Sequence, residues 1–374
     1  MAPHLGGSPP GPNELEVSLF GPGVGESIVL HLGGGDWIVV DSCRPKSGDP
    51  PIALSYLEAL GSPVATALKG LIVSHWHDDH TKGAADILRK AVNAKVFCSD
   101  ALNEDAFFEA IAASENPAMD RSGIDEFREI FSILRERDRG RSHAGSVGPE
   151  WVRANQILYQ RTEGYGAPCE IRALSPSSGS HSLSLNEIGQ LIRPGKEKRR
   201  FVSLEPNDTC VALLVRMGSA RILLGSDLEN GSNPKTGWKA ILEDGLRPKE
   251  KSHIYKVAHH GSENADDKRI WTELLEQGPI AIITTFAKGK KPLPSKEDLR
   301  RIKSNGGAVY CTPKPDIDAW KPSRRLGSIE RLTSRVDRKR TRINRGMGHL
   351  RIRAKADETP PQFRVEVLDP ASQL

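Results

Sequence analysis

The sequence predicts an α/β protein, and three observations point there. Short β-rich runs alternate with amphipathic helical segments, first as β, β, β, α, β, α, β and then as a second β/α series after about residue 209. Several apolar runs stop abruptly on a histidine or aspartate, as strands do when they deliver polar groups to a sheet edge. The composition, 37% hydrophobic and 27% charged over 374 residues, supports a sizeable core and excludes a wholly disordered chain.

In chain order, residues 1–14 form a Gly/Pro-rich leader. Runs at 15–20, 27–32 and 36–41, separated by glycine clusters, read as a strand and hairpin ending at Asp41. Residues 51–66 have helical spacing, LKGLIVSH is an apolar strand stopping at His75, Thr81 to Val92 is helical, and AKVFCSD is a further strand. From 101 to 165 the pattern turns helical and charged, with Phe107 and Ile111 on one segment and Phe127, Ile130, Phe131 and Leu134 at i, i+3, i+4, i+7 on another; it reads as an insert. A polar loop occupies 178–203. Strand character resumes in TCVALLVRMG and ARILLGSD, which form a hairpin across Met217-Gly218-Ser219, and again in HIYKVAHH, IAIITT and AVYCT. DDKRIWTELLEQ and residues 296–304 read as helices, and HLRIRA with QFRVEVL closes the chain as a hairpin across 355–361.

Charge is unevenly placed. The chain carries a net +5, yet residues 321–354 hold 12 Lys/Arg against Glu330 and Asp337, a local +10, which leaves about −5 elsewhere. A basic segment at 321–348 therefore follows an acidic to neutral body. The five cysteines (Cys43, Cys98, Cys169, Cys210, Cys311) are scattered, with no CxxC pair, which argues against a disulfide framework or zinc knuckle and for a reducing compartment. The N-terminus lacks a charged n-region and apolar h-region, and no apolar run approaches the roughly 18 residues of a membrane span, so a soluble cytoplasmic protein is expected.

The strongest chemical signal is Ser74-His75-Trp76-His77-Asp78-Asp79-His80, an H-x-H-x-D-H run at a strand end. Three imidazoles and a carboxylate brought together there are costly to desolvate unless a cation draws them together. In such a turn His75 and His77 face one point and Asp79 and His80 an adjacent one, two neighbouring sites for zinc-type N/O ligation. Asp227, directly after RILLGSD, is placed to bridge two cations, or serves as a turn residue. After IYKVAHHGS, one of His259 and His260 completes the second site; His259 is the preferred ligand and His260 a catalytic or substrate-facing neighbour. Asp41 is suited to accept from a ligand imidazole or to hold a turn.

These residues, in this order, resemble the metallo-β-lactamase superfamily. With VGESIVLH, ALSP, Asn207-Asp208-x-x-Val, ILLGSD and HHGS, the chain looks closer to the hydrolase domain of ComEC-type DNA-uptake proteins and their stand-alone relatives, over about 15–100 and 170–315. The resemblance implies one domain over 15–374, an αββα sandwich interrupted by the helical insertion. It further implies two divalent ions, Zn2+ or Mn2+, held by His75, His77, Asp79, His80, Asp227 and His259, and hydrolysis of phosphodiesters by metal-activated water, Asp79, Asp227 and His260 being the catalytic group. The chain departs from the pattern in two places. The only histidines between the first motif and Asp227 are His143 and His181, both in polar Gly/Ser-rich surroundings that suit surface positions, and Leu293-Pro294-Ser295 stands where ComEC-like chains often carry His-Pro-Ser.

Asn207, Asp208, Lys256 and Ser262 are the substrate-side candidates; each has a plainer role in a turn, sheet edge or cap. The basic segment suits phosphates but lacks aromatic stacking residues, so nucleic acid or a nucleotide is the expected partner without base-specific readout. Two other readings stand beside this one: a lactone, thioester or amide hydrolase of the same fold, and a metal-stabilised component of a bacterial defence or DNA-processing complex that docks a protein through the helical insert.

Overall fold

A computed structural model describes residues 5–100, 122–139, 148–162, 166–183, 206–231, 233–287, 292–315 and 346–374. Two sheets form the centre. In the first, β1 (Glu14–Gly21), β2 (Ser27–Leu32) and β3 (Trp37–Val40) run antiparallel as a meander, and β4 (Leu68–Val73), β5 (Lys95–Ser99) and β6 (Glu150–Val152) follow in parallel. In the second, β7 (Ile157–Arg161), β8 (Cys169–Ala173), β9 (Leu213–Met217) and β10 (Ala220–Leu224) are antiparallel, then β11 (Ser252–Lys256), β12 (Leu275–Thr284) and β13 (Ala308–Thr312) are parallel. The chain then returns to the first sheet, where β14 (Gly348–Lys355) pairs with β1 and β15 (Arg364–Leu368) pairs with β14; β16 (Ser372–Gln373) edges the second sheet beside β13.

Helices cover the outer faces. α1 (Ile52–Ala59), α2 (Val64–Ala67), α3 (Asp78–Thr81), α4 (Ala84–Lys90) and α5 (Ser122–Arg139) lie on the side of the first sheet, and α6 (Gly237–Glu243) and α7 (Lys296–Asn305) on the side of the second. Alternation along the strands explains this four-layer order. Ile28, Leu30 and Leu32 point between the sheets with Ile171, Val215 and Ile254, while Val29 of the same strand points to the helices with Leu57 and Leu88. Strands apolar on both faces are buried on both, which requires the αββα sandwich. α7 starts at a capping box in which Ser295 Oγ accepts from the Asp298 N–H and the Asp298 carboxylate accepts from the Ser295 N–H, so Ser295 serves a helix end.

The segment expected as a helical insert is only partly helical. α5 sets Phe127, Ile130, Phe131 and Leu134 into the core beside α4, as their spacing requires, but residues 150–161 supply β6 and β7, one to each sheet. Strands of three and five residues are too short to show a period of two, and the crossover between sheets is made at Asn155, whose φ is 69°. DDKRIWTELLEQ likewise differs: it makes one helical turn, Ile270–Leu274, and then enters β12. Phe107, Ile111, His143, most of the polar loop from residue 184 and the basic segment up to residue 345 lie outside the described residues. All five cysteines are buried and none forms a disulfide. No helix among the described residues is long and apolar enough to cross a membrane.

Candidate metal centre

The parallel strands of both sheets bring their C-terminal ends to one edge, the place where open α/β sheets offer polar groups to a ligand. β3 leads into Asp41, β4 into Ser74-His75, β10 within three residues into Ser226-Asp227 and β11 within four into His259-His260, while β12 ends at Thr284. The chain leaves three of these strands in the left-handed region: φ is 57° at Asp41, 47° at Ser226, 45° at His259 and 54° at His260. Non-glycine residues enter that region at a cost, and four of them at one sheet edge mark strain held for a site.

Two groups of donor atoms result. His75 Nε2 and His77 Nδ1 are 3.0 Å apart. His80 Nε2 and His260 Nε2 each lie 3.4 Å from Asp227 Oδ2 and 3.8 Å from Asp79 Oδ2. Ligand atoms about 2.0–2.1 Å from a tetrahedral cation are about 3.3 Å from one another, so both spacings suit a shared divalent ion. His80 Nε2, His260 Nε2 and Asp227 Oδ1 are buried with no well-formed hydrogen bond, a set of donor atoms that a shared cation would satisfy. The imidazoles are turned by their other nitrogens: His80 Nδ1 meets Asp41 Oδ2 at 2.7 Å, His75 Nδ1 meets Ser74 Oγ at 2.9 Å, and His260 Nδ1 lies 3.2 Å from the carbonyl and the hydroxyl oxygens of Thr284. Asp41 is itself held by the Ser74 N–H at 2.8 Å and the Ser74 hydroxyl at 2.7 Å. Phe286 stacks on His260 at 5.1 Å and walls the site.

Electrostatics carry the same message. Burial works to lower the pKa of His260, but Asp227 and Asp79 overcome it and push it up to about 9. His80 is raised well above its usual value against the same burial by Asp227, Asp41 and Asp79. Asp227 and Asp79 lie below the usual carboxylate range because the facing imidazoles outweigh their desolvation. Burial raises Asp41 and, with His80 and His77 nearby, depresses His75 well below its ordinary value. The carboxylates thus ask for positive charge where the imidazole nitrogens converge, which protons supply in the absence of a cation and a cation supplies by displacing them.

His75, His77, Asp79, His80, Asp227 and Asp41 all come together here. His259 does not join them: its Nδ1 turns to Glu229 Oε1 at 3.0 Å and to Asn264 Oδ1 at 3.3 Å, and His260 occupies the place at the second group that sequence gave to His259. Asn207 lies with His259, its amide donating to Glu229 at 2.7 Å and standing 3.5 Å from His259 Nε2, with its Oδ1 buried and unpartnered. Asp208 shares the turn Pro206–Thr209 with it. Ser262 borders the same loop but makes no capping bond through its side chain. Lys256 is not a substrate contact. Its ammonium is 0% exposed, 2.6 Å from Glu26 Oε2 and 3.0 Å from the Ser226 carbonyl, because a strand covered on both faces buries even its polar positions. His181 is bound to Asp100 at 2.9 Å and so does not supply a further histidine to His75 and His77. Sequence reasoning assigned no role to Glu26 and Ser74, although both lie in runs it singled out, and missed Glu229, Thr284 and Phe286, which belong to no recognisable spacing.

Residues 20–149 match the family model described as the Metallo-beta-lactamase superfamily. Two packed sheets with helices on both outer faces are consistent with the metallo-beta-lactamase fold. Among solved structures the chain is similar to the metallo-beta-lactamase SMB-1 bound to 2-mercaptoethanesulfonate, at 12% identity over 72% of this chain and 86% of that one, with a TM-score of 0.37. It is also similar to a mutant of CmlA beta-hydroxylase, at 16% identity over 80% of this chain and 52% of that one, TM-score 0.40. A third is the metallo-beta-lactamase fold protein YhfI from Bacillus subtilis, at 16% identity over 65% and 70%, TM-score 0.30. The comparison with curated proteins gives no match. The matched stretch carries His75 to His80, and the cluster of Asp79, His80, Asp227 and His260 suits a divalent metal.

Proposed function

We propose that this protein is a metal-dependent phosphodiesterase that acts on nucleic acid or nucleotides in the cytoplasm, as a stand-alone member of the ComEC-like branch. The observation that carries the hydrolase part is the pair of buried, unpartnered Nε2 atoms of His80 and His260 facing Asp227 and Asp79, with His75 and His77 beside them. His75 and His77, and beside them Asp79, His80, Asp227 and His260, would hold two ions, zinc or manganese, which would supply Lewis acidity to the site. The residues of the chain do the rest. Asp41 and Thr284 hold His80 and His260 with their Nε2 atoms toward the centre, and Asp227 fixes the distance between the two imidazoles. His259, backed by Glu229, stands at the rim as a hydrogen-bonding group for the substrate, and Asn207 holds Glu229 from beneath.

The basic stretch supports a polyanion as substrate. Of its cations, Arg351 and Arg353 are committed inside the fold, to Glu366 at 2.8 Å and Glu16 at 2.7 Å, so the lysines and arginines from 321 to 345 are those in question for phosphate. The test is metal analysis of purified protein together with a panel of bis-nitrophenyl phosphate, single- and double-stranded nucleic acid, and chromogenic lactams, lactones and thioesters. Stoichiometric metal and phosphodiester turnover abolished by His77→Ala are expected. Turnover of lactones or thioesters alone replaces the substrate class, and metal-free protein whose His77→Ala variant keeps full activity overturns the reading altogether.

A further inference from the structure

Beneath the metal centre lies a second set of buried charges to which the chemistry above assigns nothing. Glu26 is the last residue of the glycine-rich turn before β2, in the first sheet, and Lys256 ends β11 in the second. Both side chains are buried, at 1% and 0% exposure, and they meet at 2.6 Å across the gap between the sheets. Glu26 Oε2 also accepts from the Thr284 hydroxyl at 2.5 Å, and Thr284 in turn contacts His260 Nδ1. Lys256 donates to the Ser226 carbonyl at 3.0 Å and lies 3.9 Å from Asp227 Oδ1. On the other side the backbone N–H of Glu26 donates to the Asp79 carbonyl at 3.0 Å, and Gly25, at φ 97°, leaves no room for a side chain, since a Cβ there would stand 2.7 Å from that oxygen. Every donor of the Asp79, His80, Asp227, His260 group is therefore one step from this pair: Asp79 through the Glu26 backbone, Asp227 through Lys256, His260 through Thr284, and His80 directly, at 4.0 Å from Glu26 Oε1.

A buried ion pair contributes little net stability, because desolvation offsets its attraction, and its best-attested use is to fix one arrangement against others. We infer that Glu26 and Lys256 are positioning residues that set the spacing between the two sheets at the metal centre, and so select which cation site can assemble. His75 and His77 leave the same strand end and need no second sheet, whereas the other group takes Asp79 and His80 from the first sheet and Asp227 and His260 from the second. The pair governs the latter alone. This rests on the reading of the site as a metal centre.

The experiment is calorimetric titration of metal-free protein with Zn2+, alongside its melting temperature, for wild type, Glu26→Gln, Lys256→Met and the double variant. Wild type is expected to take up two equivalents. Each variant should bind one equivalent at least about tenfold more weakly and the other within about threefold of wild type, the loss typical of removing a group behind a ligand. The double variant has no unpaired buried charge, so its metal-free melting temperature should recover toward wild type while the weakened equivalent stays weak. Two equivalents of wild-type affinity in a folded double variant overturn the inference, as does a parallel loss of both that tracks melting temperature. Wild-type protein that binds no zinc overturns the metal-centre reading itself, and this one with it.

Discussion

Replacing Asp41 by Asn changes one atom and removes a charge on which His80 depends. Asp41 Oδ2 accepts from the Ser74 hydroxyl and from His80 Nδ1, both at 2.7 Å, and Oδ1 accepts from the Ser74 N–H at 2.8 Å. An amide cannot satisfy all three. With its NH2 toward Ser74 it opposes a backbone donor; with its NH2 toward His80 it drives the imidazole to the tautomer that carries its proton on Nε2, the atom that must be bare to hold a cation. The backbone is no confounder, since Asn tolerates the φ of 57° at this position better than almost any residue. Metal-free stability should hold as well, because burial already raises the proton affinity of Asp41 and the substitution removes a buried charge. Loss of such a partner costs 10–100-fold in metal affinity, about 1.4–2.7 kcal/mol. Zinc titration of metal-free Asp41→Asn should show that drop at one equivalent, with a melting temperature within a few degrees of wild type. A folded variant that binds zinc within about twofold of wild type would refute the tautomer argument.

Three further outcomes are expected. His260→Ala should lose bound metal on dialysis, while His259→Ala should keep it and raise KM for phosphodiesters; equal metal loss in both, read by elemental analysis, would sink the assignment of His260 to the cation. His349 is buried against Phe20, with Nε2 3.0 Å from Ser18 Oγ, and its pKa lies well below the usual value through burial and the neighbouring Arg351 and Arg353. Because the folded pKa is depressed, its contribution is complete above the unfolded value of about 6.5 and is lost as pH falls below it. The urea-midpoint advantage of wild type over His349→Gln should therefore shrink between pH 7.5 and 5.5, and an advantage independent of pH would contradict a neutral His349. Binding of a fluorescent oligonucleotide should weaken steeply as salt rises, and an affinity indifferent to salt would remove polyanions from the substrate list.

How legible all this was in the sequence differs by residue. His75 to His80 were readable because the donors are contiguous and a strand that ends on them leaves few other uses for three imidazoles. Asp227 was readable from the abrupt end of β10. The choice between His259 and His260 was not, because period-two reasoning needs extended backbone and both residues are left-handed, which decouples side-chain direction from sequence parity. Lys256 was misread for a related cause: alternation identifies faces, and only the packing of a second sheet shows that both faces are closed. Glu26 stood within VGESIVLH but no role could be read for it, since its partners, Lys256 and Thr284, are more than 200 residues away. β6 and β7 escaped because their few residues cannot establish a pattern before the chain changes sheets.

The return of the chain to β1 has a consequence for when the protein becomes itself. β14 closes the open side of β1 along its full length, from Glu14 opposite Lys355 to Gly21 opposite Gly348. Until residues 348–355 are in place, β1 is a naked edge of apolar strand, a state prone to pair with whatever edge is near. The inner face of the first sheet waits instead on β7 to β13, residues 157–312, which also lead to Asp227 and His260. The histidines at 75–80 are thus made well before the groups that face them, so any cation held between the two sheets must arrive after the second sheet has been made.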